Sequence, residues 1–464
     1  MQTIALAPLF CTFVHNIETK TMQRYRIIGL LLLFAASLLC SKASAQARIT
    51  RSEFICYDKR DDALRDIRTG IDKHIVLNPT LQYSSDEGTV RNVYEQVFEV
   101  PAAWNDYSAY MHTENIGEDY TIFINGKQIT RAIDRLTPTD LFISPYLEQG
   151  ENTVAIVTVD EPYMSRMDEA LTQAERTKFT NCYIFAQRRL AIYDYSVRML
   201  PDSLGRFAQL HLDIIADNSF STDETINVGY DIYAPDGKLM EYSVNDLALT
   251  GHSRDTLRFR PYIYHSNPNR WSAENPKLYD IMLYVKRSGM LWEYIPLSVG
   301  FAEYGYNDCG EITLFGKPLK LNKKTYNAAA DRATTEQEIR TLKKSGINTL
   351  CPNYPQPKWF YDICDHVGIY VIDCAAISST STGDDRNIGG TPANAPELVD
   401  EYLQRVEAMY HRAHNHVCII AFALGNEGSG NGYNMYKAYE LLKAKGDSRA
   451  IIYTGADGEW NSDL

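Results

Sequence analysis

Hydrophobic and polar positions change their rhythm along the chain. From residue 46 to about 194, short apolar runs alternate with polar positions and are cut by turn residues, as at 93–100, 120–124 and 152–159; this is the pattern of strands with one buried face. Asn125-Gly126 between two such runs is a hairpin signal. Residues 195–303 repeat the style, with alternation at 210–214, 226–232 and 279–285 and turns at Pro235-Asp236-Gly237 and Asn275-Pro276. The first stretch has the strand spacing of a jelly roll, and the second has the size of an immunoglobulin-like sandwich.

Beyond Gly316 the period lengthens, and helical runs alternate with short apolar strands, the signature of βαβ units on a parallel sheet. Thr335 and Glu338 read as a capping box before a helix that Gly346 ends. Pro357 opens a second helix stopped by Gly368, and Pro396 opens a third with Leu398, Tyr402, Leu403, Val406 and Met409 on one face. Strands are expected near 319–322 and at 347–351, 369–373, 418–424 and 451–453, the last after one more helix. Roughly 150 residues from Gly316 onward fall short of the about 250 that a closed (β/α)8 barrel takes, so the barrel is expected to stop after its fifth strand. The fold class is therefore multidomain. An N-terminal extension and signal peptide (1–45) precede an all-β jelly-roll sandwich (46–194), an immunoglobulin-like β-sandwich (195–303) and a partial (β/α)8 TIM barrel (304–464).

The leader reads from Met22: basic Arg24 and Arg26, an apolar run at 27–40, and Ala43-Ser44-Ala45, with cleavage expected after Ala45 and hence a secreted or periplasmic location. The run is shorter than the roughly 20 residues of a membrane span, and no later segment approaches that length. Leu39 is bulkier than the residue that normally precedes a lipidated cysteine such as Cys40.

Composition adds exclusions. The 45% apolar and 23% charged residues are those of an ordinary globular chain. The net charge is −13 and the 46 Lys and Arg are scattered, which argues against nucleic acid and suits a neutral substrate. Of nine cysteines, Cys11 and Cys40 fall in the extension, leaving an odd number. Cys351, Cys364, Cys374 and Cys418 sit in apolar strand or helix patterns and read as buried thiols rather than a disulfide framework.

Leu424-Gly425-Asn426-Glu427 falls where the fourth barrel strand should end, and side chains at the carboxyl ends of strands carry the chemistry in this fold. A desolvated carboxyl group there would hold its proton near neutrality and act as a general acid, which makes Glu427 the leading candidate. Spacing alone equally allows an acidic residue favoured by the dipole of the next helix.

Residues 414–428, from His414-Asn415-His416 to Leu424-Gly425-Asn426-Glu427-Gly428, resemble the acid/base segment R-N-H-P-S-x-x-x-W-S-L-G-N-E-S of family 2 β-galactosidases. Other stretches agree in order. Trp271-Ser272-Ala273-Glu274 with Pro276, Leu278 and Tyr279 is similar to W-S-A-E-x-P-x-L-Y, Val299-Gly300-Phe301 to V-G-F-R, and Gly316-Lys317-Pro318-Leu319 to G-K-P-L. In the first domain, residues 123–127 and 147–152 resemble the family's sugar-binding jelly roll. The resemblance implies retaining glycosidase chemistry on a β-linked glycoside, with Glu427 as general acid/base and Asn426 bonding the sugar 2-hydroxyl. It also implies that Asn353 and Asp134 lie at the sugar site, Asp134 matching a jelly-roll aspartate of some relatives.

The chain departs from the family at several positions. The family's N-R-H falls on Thr325-Tyr326-Asn327, its R-x-x-H-Y-P on residues 350–355, and its magnesium-holding I-E-T-H on Ile377-Ser378-Ser379-Thr380, so Arg and His donors are replaced and no metal or other cofactor is expected. A retaining enzyme also needs a nucleophilic carboxylate about 5–5.5 Å from the acid. The carboxylates that follow the last strand, Asp457, Glu459 and Asp463, match no nucleophile motif. Two readings follow: a β-galactosidase-like hydrolase whose nucleophile is not in this sequence, or a non-catalytic carbohydrate-binding or scaffold protein. The incomplete barrel would expose strand edges, which calls for an oligomer or a partner chain to cover it.

Overall fold

The computed structural model describes residues 48–65, 73–84, 90–114, 116, 119–131, 137–159, 167–168, 179, 181–202, 204–329, 331–379 and 387–464. The expected leader and Asp134 lie outside the described residues.

Alternation along the first stretch builds two antiparallel sheets. One has the order Arg48–Ile49, Thr139–Phe142, Tyr107–Thr113, Tyr183–Arg188, His74–Val76. The other runs Thr80–Ser84, Val90–Val100, Gly150–Val159, Asp119–Ile124, Lys127–Arg131. Met111, Ile122, Ile124, Val154, Ile156 and Ile184 are fully buried between them. Asn125 and Gly126 make the expected two-residue hairpin: Ile124 faces Lys127, and both turn residues take positive φ, 49° and 74°.

A second pair of antiparallel sheets follows. Ala208–Asn218 lies between Leu190–Pro201 and Ser253–Phe259, and its residues alternate strictly between buried and half-buried. Leu239–Leu249, Glu224–Tyr233, Leu278–Arg287 and Met290–Gly300 form the facing sheet. The domain boundary expected after residue 194 falls inside the strand Leu190–Pro201, which pairs with Ala208–Asn218 along its length except for a bulge between Ile192 and Asp194. Apolar alternation continues across that bulge, so pattern alone places no break there.

The last region is a five-stranded parallel sheet in sequence order: Lys323–Thr325, Thr349–Cys351, Tyr370–Cys374, Ile419–Ala423, Ala450–Ile452. Helices Arg332–Lys344, Lys358–Val367, Val399–Ala413 and Tyr433–Ala444 connect them. The first strand begins just after the expected 319–322: the Asn322 carbonyl accepts from Asn348 and Thr349, and ladder pairing starts only at Lys323. The capping box is also displaced. Asp331 caps the first helix, its Oδ1 accepting the Thr334 N–H at 2.9 Å, and Thr335 lies one turn inside, its hydroxyl accepting the Ala329 N–H. The second helix has its expected ends, with Pro357 at the N-cap and Gly368 left-handed (φ 75°) at the C-cap of Lys358–Val367, while Pro396 opens a 3-10 turn that leads into the α-helix at Val399. Tyr370–Cys374 is buried at every position, as a parallel strand covered on both faces should be. The seven cysteines among the described residues are all thiols, and Cys182, Cys364, Cys374 and Cys418 are buried.

The segment ahead of the fourth strand locks the barrel to both β-domains. Asn415 donates to the Ser52 hydroxyl (2.9 Å) and the Tyr195 carbonyl (3.2 Å) and accepts from the Val197 N–H (2.8 Å). His416 Nδ1 lies 2.7 Å from Asp365, whose other oxygen accepts the Cys418 N–H. Trp271, fully buried, donates its indole N–H to the Asp365 carbonyl at 3.0 Å. Gly300 is glycine because a Cβ there would lie 2.6–2.9 Å from the Val417 side chain. Further along, Ser378 accepts a bridge from the first domain, its N–H donating to the Met167 carbonyl, and fully buried Arg405 pairs with Asp168 at 2.6 Å.

Candidate active site at the barrel rim

Asn426 and Glu427 follow directly on the fourth strand, at the carboxyl ends of the parallel sheet. Asn426 is held from two sides. Its backbone N–H donates to the Ile377 carbonyl at 2.8 Å, and its side-chain amide donates to the Asn353 carbonyl at 2.8 Å and to Ile377 at 3.3 Å. Asn353 in turn donates its N–H to Asn327 Oδ1 at 2.9 Å. Asn327, Asn353, Ile377 and Asn426, one from the end of each of the first four strands, thus form one hydrogen-bonded chain across the rim. Asn327 and Asn353 stand where the family has histidine donors, and here they serve the rim itself. The Asn353 side-chain amide takes no part in this chain of bonds.

The loop after Glu427 is stitched at both sides. Ser379 donates to the Ser429 carbonyl (2.9 Å), and the Ser429 hydroxyl lies 3.3 Å from the Ile377 carbonyl. Asn431 and Asn461 bond reciprocally at 3.2 and 2.9 Å, and Tyr453 donates to the Gly430 carbonyl. At the family's magnesium position the Ser378 N–H donates to the Met167 carbonyl and the Ser379 hydroxyl to the Ser429 carbonyl; Thr380 lies outside the described residues.

Glu427 itself is exposed. The burial expected for this carboxyl group is therefore not found. A carboxylate that is desolvated lies elsewhere: Asp373, fully buried on the third strand, accepts the Tyr361 hydroxyl at 2.9 Å on one oxygen, while its other oxygen has no partner among the described residues. Burial pushes it up to about 7, against the bonds from Tyr361 and the Cys374 N–H and the pull of Arg412. Tyr361 also accepts the Gln356 N–H, which joins Asp373 to the loop after the second strand. The sequence offered one signal for this group, an aspartate inside an otherwise apolar strand.

The carboxylates after Glu427 do not converge on it. Glu440 pairs with Lys437 and Asp447 with Arg449. Glu459 accepts from Tyr436, and Asp463 accepts the Ile451 N–H and Tyr439 hydroxyl. Asp457 is exposed in a left-handed turn conformation. Among the described residues, no second carboxylate is paired with Glu427.

Two clusters have the ligand types of a metal site, and both lie away from the rim. In the first, His112 donates to Asp140 (2.7 Å) and Glu114 (3.1 Å), and Glu53 is held by Arg412 at 2.8 Å. Burial pushes His112 down, and the two carboxylates more than reverse that and hold it up at about 10. In the second, Asp362, Asp365 and His416, the nearest cation is Lys358, 2.6 Å from Asp362. Each cluster's charge is met by the protein's own cations.

The comparisons agree with this architecture. The family description "Glycosyl hydrolases family 2, TIM barrel domain" matches residues 321–463, and "Glycosyl hydrolases family 2" matches 190–301. The chain is 28% identical over 377 residues to a β-galactosidase of Priestia megaterium, covering 78% of this chain and 36% of that protein. It is 26% identical to a β-galactosidase of Streptococcus thermophilus, covering 78% and 35%. The chain therefore spans about a third of the length of the curated relatives it matches. Among solved structures, a Bacteroides uniformis β-glucuronidase superposes with a TM-score of 0.67 at 17% identity, covering 79% of this chain and 47% of that one. A family 2 member from Bacteroides cellulosilyticus gives 0.65 at 17%, covering 79% and 50%. With both of its matched segments described by models of the same family, and with the partial barrel and multiple β-sheet domains those structures share, the chain belongs to glycoside hydrolase family 2.

Proposed function

We propose that the chain carries the substrate-recognition domains and the acid/base half of a retaining β-glycosidase, with Glu427 as general acid/base and Asn426 and Asn353 as its sugar-facing neighbours. The observation that carries this reading is the position of Asn426-Glu427 at the carboxyl end of the fourth parallel strand, held there by bonds to the third and second strands. Protonating the leaving oxygen needs a carboxyl group, and forming the glycosyl intermediate needs a second one about 5–5.5 Å away. Among the described residues that follow Glu427, no carboxylate is paired with it. The two pairs of antiparallel sheets support the finer reading of a jelly roll followed by an immunoglobulin-like sandwich. The leader motif supports secretion, and Ser378 and Thr380 in place of the family's acidic and histidine positions support chemistry without a metal.

One observation favours the non-catalytic alternative: the Asn426 amide, which would bond the sugar 2-hydroxyl, is already donated to two carbonyls. The experiment is hydrolysis of 4-nitrophenyl β-galactoside, β-glucuronide and β-mannoside by the protein purified from its native source, beside its E427Q variant. The enzymatic reading expects turnover that E427Q lowers by about 10²–10⁴. Turnover unchanged by E427Q removes Glu427 from the mechanism, and no turnover by the native-source protein favours the binding-only reading.

A further inference from the structure

We propose that the cleft between the two β-domains is a second carbohydrate site, for a neutral oligosaccharide, separate from the barrel rim. The cleft encloses about 580 Å³, within the roughly 300–1,000 Å³ of small-molecule sites, which favour domain interfaces. Its walls come from both domains: residues 100–109 and 142–149 from the first, and Arg189, 217–219 and His252 from the second.

The first-domain wall is built in advance of any ligand. Asn152, buried, accepts the Glu148 N–H at 2.7 Å and donates to the Glu148 and Gly150 carbonyls at 2.8 and 2.9 Å. Asn125 donates to Asn152 Oδ1 at 2.8 Å and to the Tyr146 carbonyl at 3.1 Å. The segments 123–127 and 147–152, which the barrel chemistry does not use, thus brace one side of this cleft. On the other side, the His252 turn is held at φ 53° by the bond from its N–H to the Phe220 carbonyl.

The lining chemistry selects the ligand. Tyr107 and Phe142, both half-buried, offer aromatic edges suited to the C–H face of a pyranose, with the Trp104 ring packed in the core behind them. Asn105 and Gln149, both exposed at the cleft, carry amides that give and accept hydrogen bonds as hydroxyls require. The charges are few: Asp217 is held by Arg254 at 2.6 Å, Arg189 donates to the Ser219 carbonyl at 2.7 Å, and one further acidic group, Glu148, stands on the opposite wall. A phosphate-bearing ligand would find no cluster of cations, and a lipid no continuous apolar surface.

The test is calorimetric titration of the 464-residue chain with β-1,4-galactotetraose. Binding is expected that Gln149→Ala or His252→Ala, both exposed positions, weakens by about tenfold. Binding that E427Q removes while the two cleft variants leave it intact would place the sugar at the rim and overturn this proposal without touching the assignment of Glu427. Absence of binding up to roughly 10 mM, a regime of about −3 kcal/mol, would also overturn it.

Discussion

Asp373, on the third barrel strand, and Glu427, in the loop after the fourth, face opposite circumstances. Asp373 lies against the helical layer, buried and bonded to Tyr361, with its carboxyl group raised to about 7. Glu427 lies at the rim and is exposed. The layer between sheet and helices, and the seams to the β-domains, are closed by residues of this chain alone. The rim is hydrogen-bonded but uncovered. Among the described residues, five strands with their helices are enough to bury Asp373, while Glu427 at the rim stays exposed.

The seams give the sharpest way to break the packed side. Arg405→Ala would leave Asp168 buried without its cation, and a loss of about 3–5 kcal/mol is expected, read as a lower denaturation midpoint of the barrel. An effect near that of a surface substitution would mean the seam contributes little.

Asp373 gives the next largest effect, through pH. Its folded value lies above its ordinary 3.8, so between about pH 4 and 7 the unfolded chain releases a proton that the folded chain keeps. Stability then falls as pH rises across that window, by up to roughly 4 kcal/mol, and the penalty is complete above about 7. D373N should remove that slope, and urea midpoints at about pH 5 and pH 8 for both proteins measure it. Parallel pH profiles for wild type and variant would contradict the burial assigned to this carboxyl group.

Asn426→Ala tests the rim with the smallest effect. It removes side-chain bonds to the Asn353 and Ile377 carbonyls at a half-buried position, and about 1–2 kcal/mol is expected. A loss as large as that of Arg405→Ala would show that the rim, too, is part of the packed core.

Much of the architecture was legible because periodicity reports burial: the strands of both β-domains, the Asn125-Gly126 hairpin and the second to fifth barrel strands follow from apolar spacing, whereas the first, Lys323–Thr325, is exposed and carries no apolar residue. The misplacements have local causes. Asp331 outcompeted Thr335 for the helix cap because a carboxylate four residues earlier reaches the Thr334 N–H. The bulged strand Leu190–Pro201 carried its alternation through the expected boundary. At the site, the motif around residues 414–428 located Glu427 on the rim, but a motif does not separate chemistry from architecture. His416 and Asn415 in that motif hold Asp365 and the β-domains. Arg405 and Asp373 were illegible in function because their partners, Asp168 and Tyr361, are distant in sequence or on another element.

The most direct measurement is the hydrolysis of 4-nitrophenyl β-galactoside by the 464-residue chain itself, beside its E427Q variant. The two are expected to give the same background rate, because the exposed Glu427 has no paired carboxylate among the described residues. Turnover by the chain that E427Q abolishes would contradict this expectation and show that both halves of the retaining pair are already present.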